Sequence, residues 1–312
     1  MISRIFGILA LGACLGTSGC GGPLPPPDPY NLAEAKDSLS RGNYWYERAC
    51  YREAERFFQG GLESARLSDE VTLIIRAQNS LGAAALAQGE LDAAAAYLEQ
   101  ALNLSSGHPG QAEMDKVLGN LGSLAFKLGR SQDAEAFWLE AVEKAVAQGQ
   151  SPAAYYCDLA RLYLAAGRTA EFSEMSAKAL GAAETAGKPP ALADALNLGG
   201  QQALAAGDPA LAEERYRRAL ELDRKSENTV GLAQDTEALG LLMIRLERRA
   251  EAAGFLDRSF FLYLALGRDR EAGRIFSHLQ QLSREHQFPK KMEPYQAARR
   301  DPSPHRLSNQ CP

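Results

Sequence analysis

Residues 81–102 read LGAAALAQGELDAAAAYLEQAL, and residues 121–142 read LGSLAFKLGRSQDAEAFWLEAV. The two strings align with small residues at 82, 85, 89, 94 and 101 and at 122, 125, 129, 134 and 141, and with a large apolar residue at 98 and 138. Spacing of i, i+4 and i+7 from alanine to large apolar to alanine is one face of a helix. Gly89 and Gly129 sit where a left-handed cap ends one helix before a second begins. Each string therefore predicts two antiparallel helices joined by a short turn, with a seam of small residues between them.

The pattern extends in both directions. Gly42, Gly82, Gly122, Ala160, Gly200 and Gly240 are separated by 40, 40, 38, 40 and 40 residues. Twelve positions further on stand Ala54, Ala94, Ala134, Phe172, Ala212 and Ala252, and sixteen on stand Phe58, Leu98, Trp138, Ser176, Tyr216 and Leu256. The glycine seven positions after each rung recurs at 89, 129, 167 and 207, with Ala49 and Glu247 as exceptions. Asp92, Thr169 and Asp208 are placed to cap second helices, and Pro209 suits the first position of one. A single hairpin cannot bury this seam, whereas a stack can. No period-two strand pattern is seen.

These strings resemble the tetratricopeptide repeat, whose usual length is about 34 residues. The period here is similar to a longer variant with extended helices. The expected fold is all-α: a solenoid of about six tetratricopeptide-like hairpins over residues 34–288, closed by a capping helix at 268–287 that faces solvent. The fourth repeat departs from the pattern at Ala160, Phe172 and Ser176, the sixth at Glu247 and Ser259, and the first carries Arg41 in place of the usual leucine.

The chain has 312 residues, of which 46% are hydrophobic, and its net charge is −5. That composition excludes a disordered or polytopic membrane chain. It also argues against general nucleic-acid binding, which calls for a basic surface. The first residues, MISRIFGILALGACLGTSGCGG, join Arg4 to an apolar run from Ile5 to Leu15, too short to span a bilayer. They read as an export signal over residues 1–19. Gly16-Thr17-Ser18-Gly19-Cys20 resembles a lipobox; Cys14 is the better local match but leaves a short signal, so Cys20 is the preferred lipidation site. The resemblance implies a lipid anchor in the bacterial envelope, at the outer membrane and facing the periplasm. Residues 20–33 form a proline-rich linker, and residues 289–312 read as a disordered tail with five Lys or Arg. Cys50 and Cys157 read as small buried residues not joined to each other, and Cys311 as a free thiol or an intermolecular link.

Four histidines, and no HExxH, GxSxG, Walker or CxxC motif, give no catalytic residue, no metal ligand and no cofactor. Ser123 stands beside Gly122 without a base. The reading is not an enzyme but a protein-protein interaction scaffold. Regulation of cell-wall hydrolases or cell-wall synthesis, and small-ligand binding or catalysis in the groove, are the alternatives.

The resemblance implies a concave face lined by first helices. One column of inward positions reads Lys36, Arg76, Lys116, Ala154, Asp194, Gln234. The next two read Leu39, Asn79, Gly119, Cys157, Asn197, Glu237 and Asn43, Ala83, Ser123, Arg161, Gln201, Leu241. Of the carboxylate clamp found in some family members, Asn43 and Lys116 match, while Leu39, Ser80 and Asn120 do not. The candidate partner-binding residues are Lys36, Asn43, Arg76, Asn79, Lys116, Arg161, Asn197 and Gln201, facing an acidic or carboxylate-bearing protein segment. Reversing the charge of Arg76 and Lys116 is expected to weaken capture with little change in stability.

Overall fold

The computed structural model describes residues 30–108, 113–286, 291–306 and 311. The signal, Cys14, Cys20 and the linker up to residue 29 lie outside the described residues. Helices α1 to α12 form six hairpins: Tyr30–Glu47 with Tyr51–Leu67, Val71–Gln88 with Leu91–Gly107, Met114–Lys127 with Ser131–Ala147, Ala153–Ala165 with Thr169–Ala186, Pro189–Ala205 with Pro209–Lys225, and Thr229–Arg245 with Arg249–Ala265. α13 (Asp269–His286) and the short α14 (Glu293–Arg300) follow. Among the described residues there is no strand. Consecutive helices pack in sequence order, and odd-numbered helices also touch one another. The fold is an all-α repeat solenoid. No described helix is long and apolar enough to cross a membrane.

The rung glycines are set by close approach. A Cβ on Gly82 would lie 2.6 Å from Cγ of Leu98, on Gly122 2.5 Å from Nε1 of Trp138, and on Gly240 2.6 Å from Cδ2 of Leu256. The large residue sixteen positions on therefore fills the space of the missing side chain. In the fourth repeat both members change together: Ala160 occupies the glycine rung and Ser176 the large position, and both are fully buried. Interior packing density favours such paired changes in volume.

Hairpin turns share one device. Ala49, Gly89, Gly129, Gly167, Gly207 and Glu247 all have positive φ, between 57° and 82°. Ala49 and Glu247 thus adopt the left-handed conformation at the two places without glycine, at a cost of roughly 1 kcal/mol each. Of the expected N-caps, Asp208 acts as one, accepting from the Leu211 amide at 2.9 Å. Asp92 and Thr169 lie inside their helices, whose N-cap positions are Glu90 and Arg168.

Three expectations at the ends are corrected. α1 begins at Tyr30, inside the stretch read as linker. The tail is ordered in part: Met292, Tyr295 and Ala298, at spacings of three, give α14 an apolar stripe that joins the core of α12 and α13. Tyr295 packs its ring 5.4 Å from that of Phe260 and donates to Asp257 at 2.7 Å. α13 keeps a polar face in solvent, with Arg274, Ser277, Gln281, Arg284 and Glu285 exposed, as expected of a cap. Finally, Cys50 and Cys311 are joined in a disulfide. Cys50 is no simple apolar residue, and Cys311 is neither free nor intermolecular. Cys157 is a buried free thiol.

Candidate functional site

The concave face carries a cavity of about 630 Å³ in its C-terminal half. Its walls come from α7, α9, α11 and the start of α13, because the first helix of each hairpin faces inward. Leu198, Leu204, Leu241 and Leu242 give it apolar surface, and Tyr216 and Tyr263 reach it from second helices. Three of the expected residues, Arg161, Asn197 and Gln201, meet there.

The polar atoms of Gln201 and Asn197 form a chain with Asp235, and Arg161 stands apart in its own ion pairs. Gln201 Nε2 donates to Asn197 Oδ1 at 2.9 Å, and Asn197 Nδ2 donates to Asp235 Oδ1 at 2.6 Å. Arg161 pairs with Asp158 at 3.0 Å and with Asp194 on the next repeat. Glu237 accepts from Tyr263 Oη at 2.6 Å and from Arg274 at 2.7 Å. Arg245 and Arg268 also line the cavity. Hydrogen-bonding amides, arginines and leucines together suit an extended segment with alternating polar and apolar groups.

Behind the wall lie two carboxyl groups, Asp223 and Asp235, exposed by 2% and 1%. Burial pushes Asp235 up to about 8, against the hydrogen bond from Asn197 and with the neighbouring charge of Asp223 adding to the rise. Burial raises Asp223 to about 6, while Asn228 donates to it at 2.9 Å. No sequence motif marks this pair, since its members come from α10 and α11 and are brought together by packing.

The other expected residues do not form a site with these three. Arg76 and Lys116 both bind Glu113, at 2.8 and 3.0 Å, and Glu113 is only 4% exposed. Glu113 thus shares its single negative charge between Arg76 and Lys116, whose side chains stay 43% and 47% exposed. Asn79 is buried and accepts from Asn120 at 2.8 Å. Lys36 and Asn43 are exposed on α1, away from the cavity.

Ser123 donates its hydroxyl to the Gly119 carbonyl at 3.1 Å. Burial, reinforced by the charge of Asp194, pushes the Cys157 thiol far above its ordinary value, which keeps it protonated. Among the described residues there is no cluster of three or more His, Cys, Asp or Glu able to hold a metal ion.

Comparison with known proteins agrees with the fold. Residues 75–108 match the tetratricopeptide repeat family model. Among curated protein sequences nothing matches at a significant level. Several solved structures are similar in fold. A Rap protein complexed with competence and sporulation factor is 14% identical, with 82% of this chain and 76% of that chain covered and a TM-score of 0.59. Aspartyl phosphate phosphatase F from Bacillus subtilis is 16% identical over 87% and 70%, with a TM-score of 0.59. NprR in complex with its cognate peptide NprX is 14% identical over 85% and 84%, with a TM-score of 0.50. The repeat match, the helix order and the shared fold agree: this chain carries a tetratricopeptide repeat at residues 75–108 within an all-α helical repeat solenoid of that type.

Proposed function

We propose that the chain is a protein-interaction scaffold that takes a partner's extended segment into its concave groove, and that it is not an enzyme. The observation that carries this reading is the cavity where Arg161, Asn197 and Gln201 converge beside exposed leucine and arginine side chains. Two fold neighbours, Rap complexed with competence and sporulation factor and NprR in complex with its cognate peptide, support a peptide-like occupant. The segment engages the C-terminal half of the groove, where Arg245 and Arg268 favour a carboxylate-bearing stretch. Lys36, Asn43, Arg76, Asn79 and Lys116 then serve the N-terminal approach or the packing of the wall.

We further propose a place in the bacterial envelope, anchored through a lipid on Cys20 at the outer membrane and facing the periplasm. Support comes from the lipobox-like sequence and from the disulfide, since such bonds persist in oxidising compartments. Replacement of Cys20 by alanine should release the protein from membranes; unchanged attachment would discard the anchor. For the groove, a photoreactive residue at Leu241 should crosslink in cells to one dominant partner, and the charge reversal Arg245→Glu should abolish that product. Crosslinking that survives Arg245→Glu unchanged would place the partner on another face.

A further inference from the structure

Repeat solenoids make contacts mainly between neighbours, so their two ends move independently unless something fastens them. In this chain something does. The turn between α1 and α2 rests against turns near the other end. Nη2 of Arg48 lies 2.7 Å from Oε2 of Glu227 in the α10–α11 turn. Cys50, at the end of the first turn, is bonded to Cys311, with Cα atoms 5.8 Å apart across 261 positions of sequence. Arg306 is held at the α12–α13 turn: it donates to the Leu264 carbonyl at 2.9 Å and to both oxygens of Asp269 at 2.7 Å.

Between these contacts lies a second cavity of about 660 Å³, with walls drawn from both ends of the molecule. Tyr46 and Tyr51 come from the first hairpin, Asn228 from the α10–α11 turn, and Arg268 and Glu271 from the start of α13. Arg268 and Glu271 line the groove cavity as well, so the two spaces share a wall. The ion pair at this seam is exposed, by 32% at Arg48 and 69% at Glu227, and exposed pairs hold weakly. The covalent bond is the strong element of the closure.

We propose that Cys50–Cys311 is a redox-operated clasp on the coil. Oxidised, it holds the first hairpin against the α10–α11 and α12–α13 turns and keeps the seam shut. Reduced, it lets the coil open there and uncovers the end of the groove at Arg268 and Glu271. The control of groove access rests on reading the groove as the binding site; the opening itself does not. The reductant is a dithiol. Its thiolate attacks Sγ of Cys311, the more exposed sulfur, and Cys50 leaves as a thiolate. The second thiol of the reductant then displaces Cys311 and closes its own disulfide, so two electrons and two protons pass to the protein.

The test is hydroxyl-radical footprinting of the full chain, read by mass spectrometry, before and after treatment with dithiothreitol. Peptide mapping of the oxidised protein should recover Cys50 linked to Cys311. Reduction should raise modification of Tyr46 and Tyr51 at least threefold, while Tyr163, held by Glu135 on α6, stays constant. Cys311→Ser should show the raised reactivity with or without dithiothreitol. The wild-type comparison carries the test should that variant fold poorly. Tyr46 and Tyr51 unchanged after full reduction, or Cys50 and Cys311 recovered as free thiols from oxidised protein, would overturn the clasp. The radical needs no partner, so this result is independent of the groove's occupant. Seam opening accompanied by an unchanged yield of the Leu241 crosslink would refute control of the groove while leaving the groove reading intact.

Discussion

Nδ2 of Asn197 donates to Oδ1 of Asp235 at 2.6 Å and so ties the floor of the groove to a carboxyl group that is 1% exposed. The second oxygen of Asp235 is buried without a hydrogen-bond partner, and the charge of Asp223 acts on the same carboxyl group. Burial first, and that neighbouring charge second, favour the form of Asp235 that carries a proton.

This proton makes stability depend on pH. An aspartate in the unfolded chain titrates near about 4, whereas in the fold burial holds Asp235 at about 8 and Asp223 at about 6. Between those values the folded state binds more protons than the unfolded state. The contribution is complete below about pH 4 and is lost as pH rises through 8. Thermal melts from pH 4.5 to 8.5 should show wild type losing more stability than Asp235→Asn as pH rises. A constant difference between the two proteins would refute the buried proton.

Arg76 and Lys116 should be structural as well as polar. Both pair with Glu113, whose side chain is 4% exposed. Reversing both charges leaves a buried carboxylate facing two more, at a cost of about 1–3 kcal/mol. Urea titration of Arg76→Glu/Lys116→Glu measures it, and an unchanged midpoint would show that Glu113 finds other partners.

Gly122→Ala should destabilise the third hairpin by about 1–3 kcal/mol through overpacking against Trp138. In a Trp138→Ser background, which reproduces the Ala160 and Ser176 combination, the added methyl should cost little. A double-mutant cycle with no coupling would sink the close-approach argument.

Cys50→Ser should lower stability by about 2–4 kcal/mol, the typical range for a disulfide, here one spanning 261 positions. Denaturant titration under non-reducing conditions reads it. A matching midpoint would mean that the ends contribute nothing to stability once joined.

The repeat was legible in the sequence because its signal is local. Each rung glycine and the large residue sixteen positions on belong to one hairpin, and the period of 40 repeats that relation along the chain. Helix order, turn positions and the burial of Ala94, Leu98 and Ala101 follow from it. The resemblance to the tetratricopeptide repeat, laid on that register, placed Arg161, Asn197 and Gln201 on the inner face. It could not say which charges on that face are already satisfied. Glu113 precedes a helix in a stretch without periodic signal, yet it holds Arg76 from 37 residues away.

Sequence by itself thus determined the hairpins and their number, since these rest on neighbours within about 40 residues. Tertiary structure alone decided the Cys50–Cys311 bond, the Asp223 and Asp235 pair, and the packing of Tyr295 on Phe260. The physical reason is curvature. Small rotations between successive hairpins accumulate along a solenoid, and their sum, which no single repeat encodes, brings the turn after α1 back to the far end of the chain.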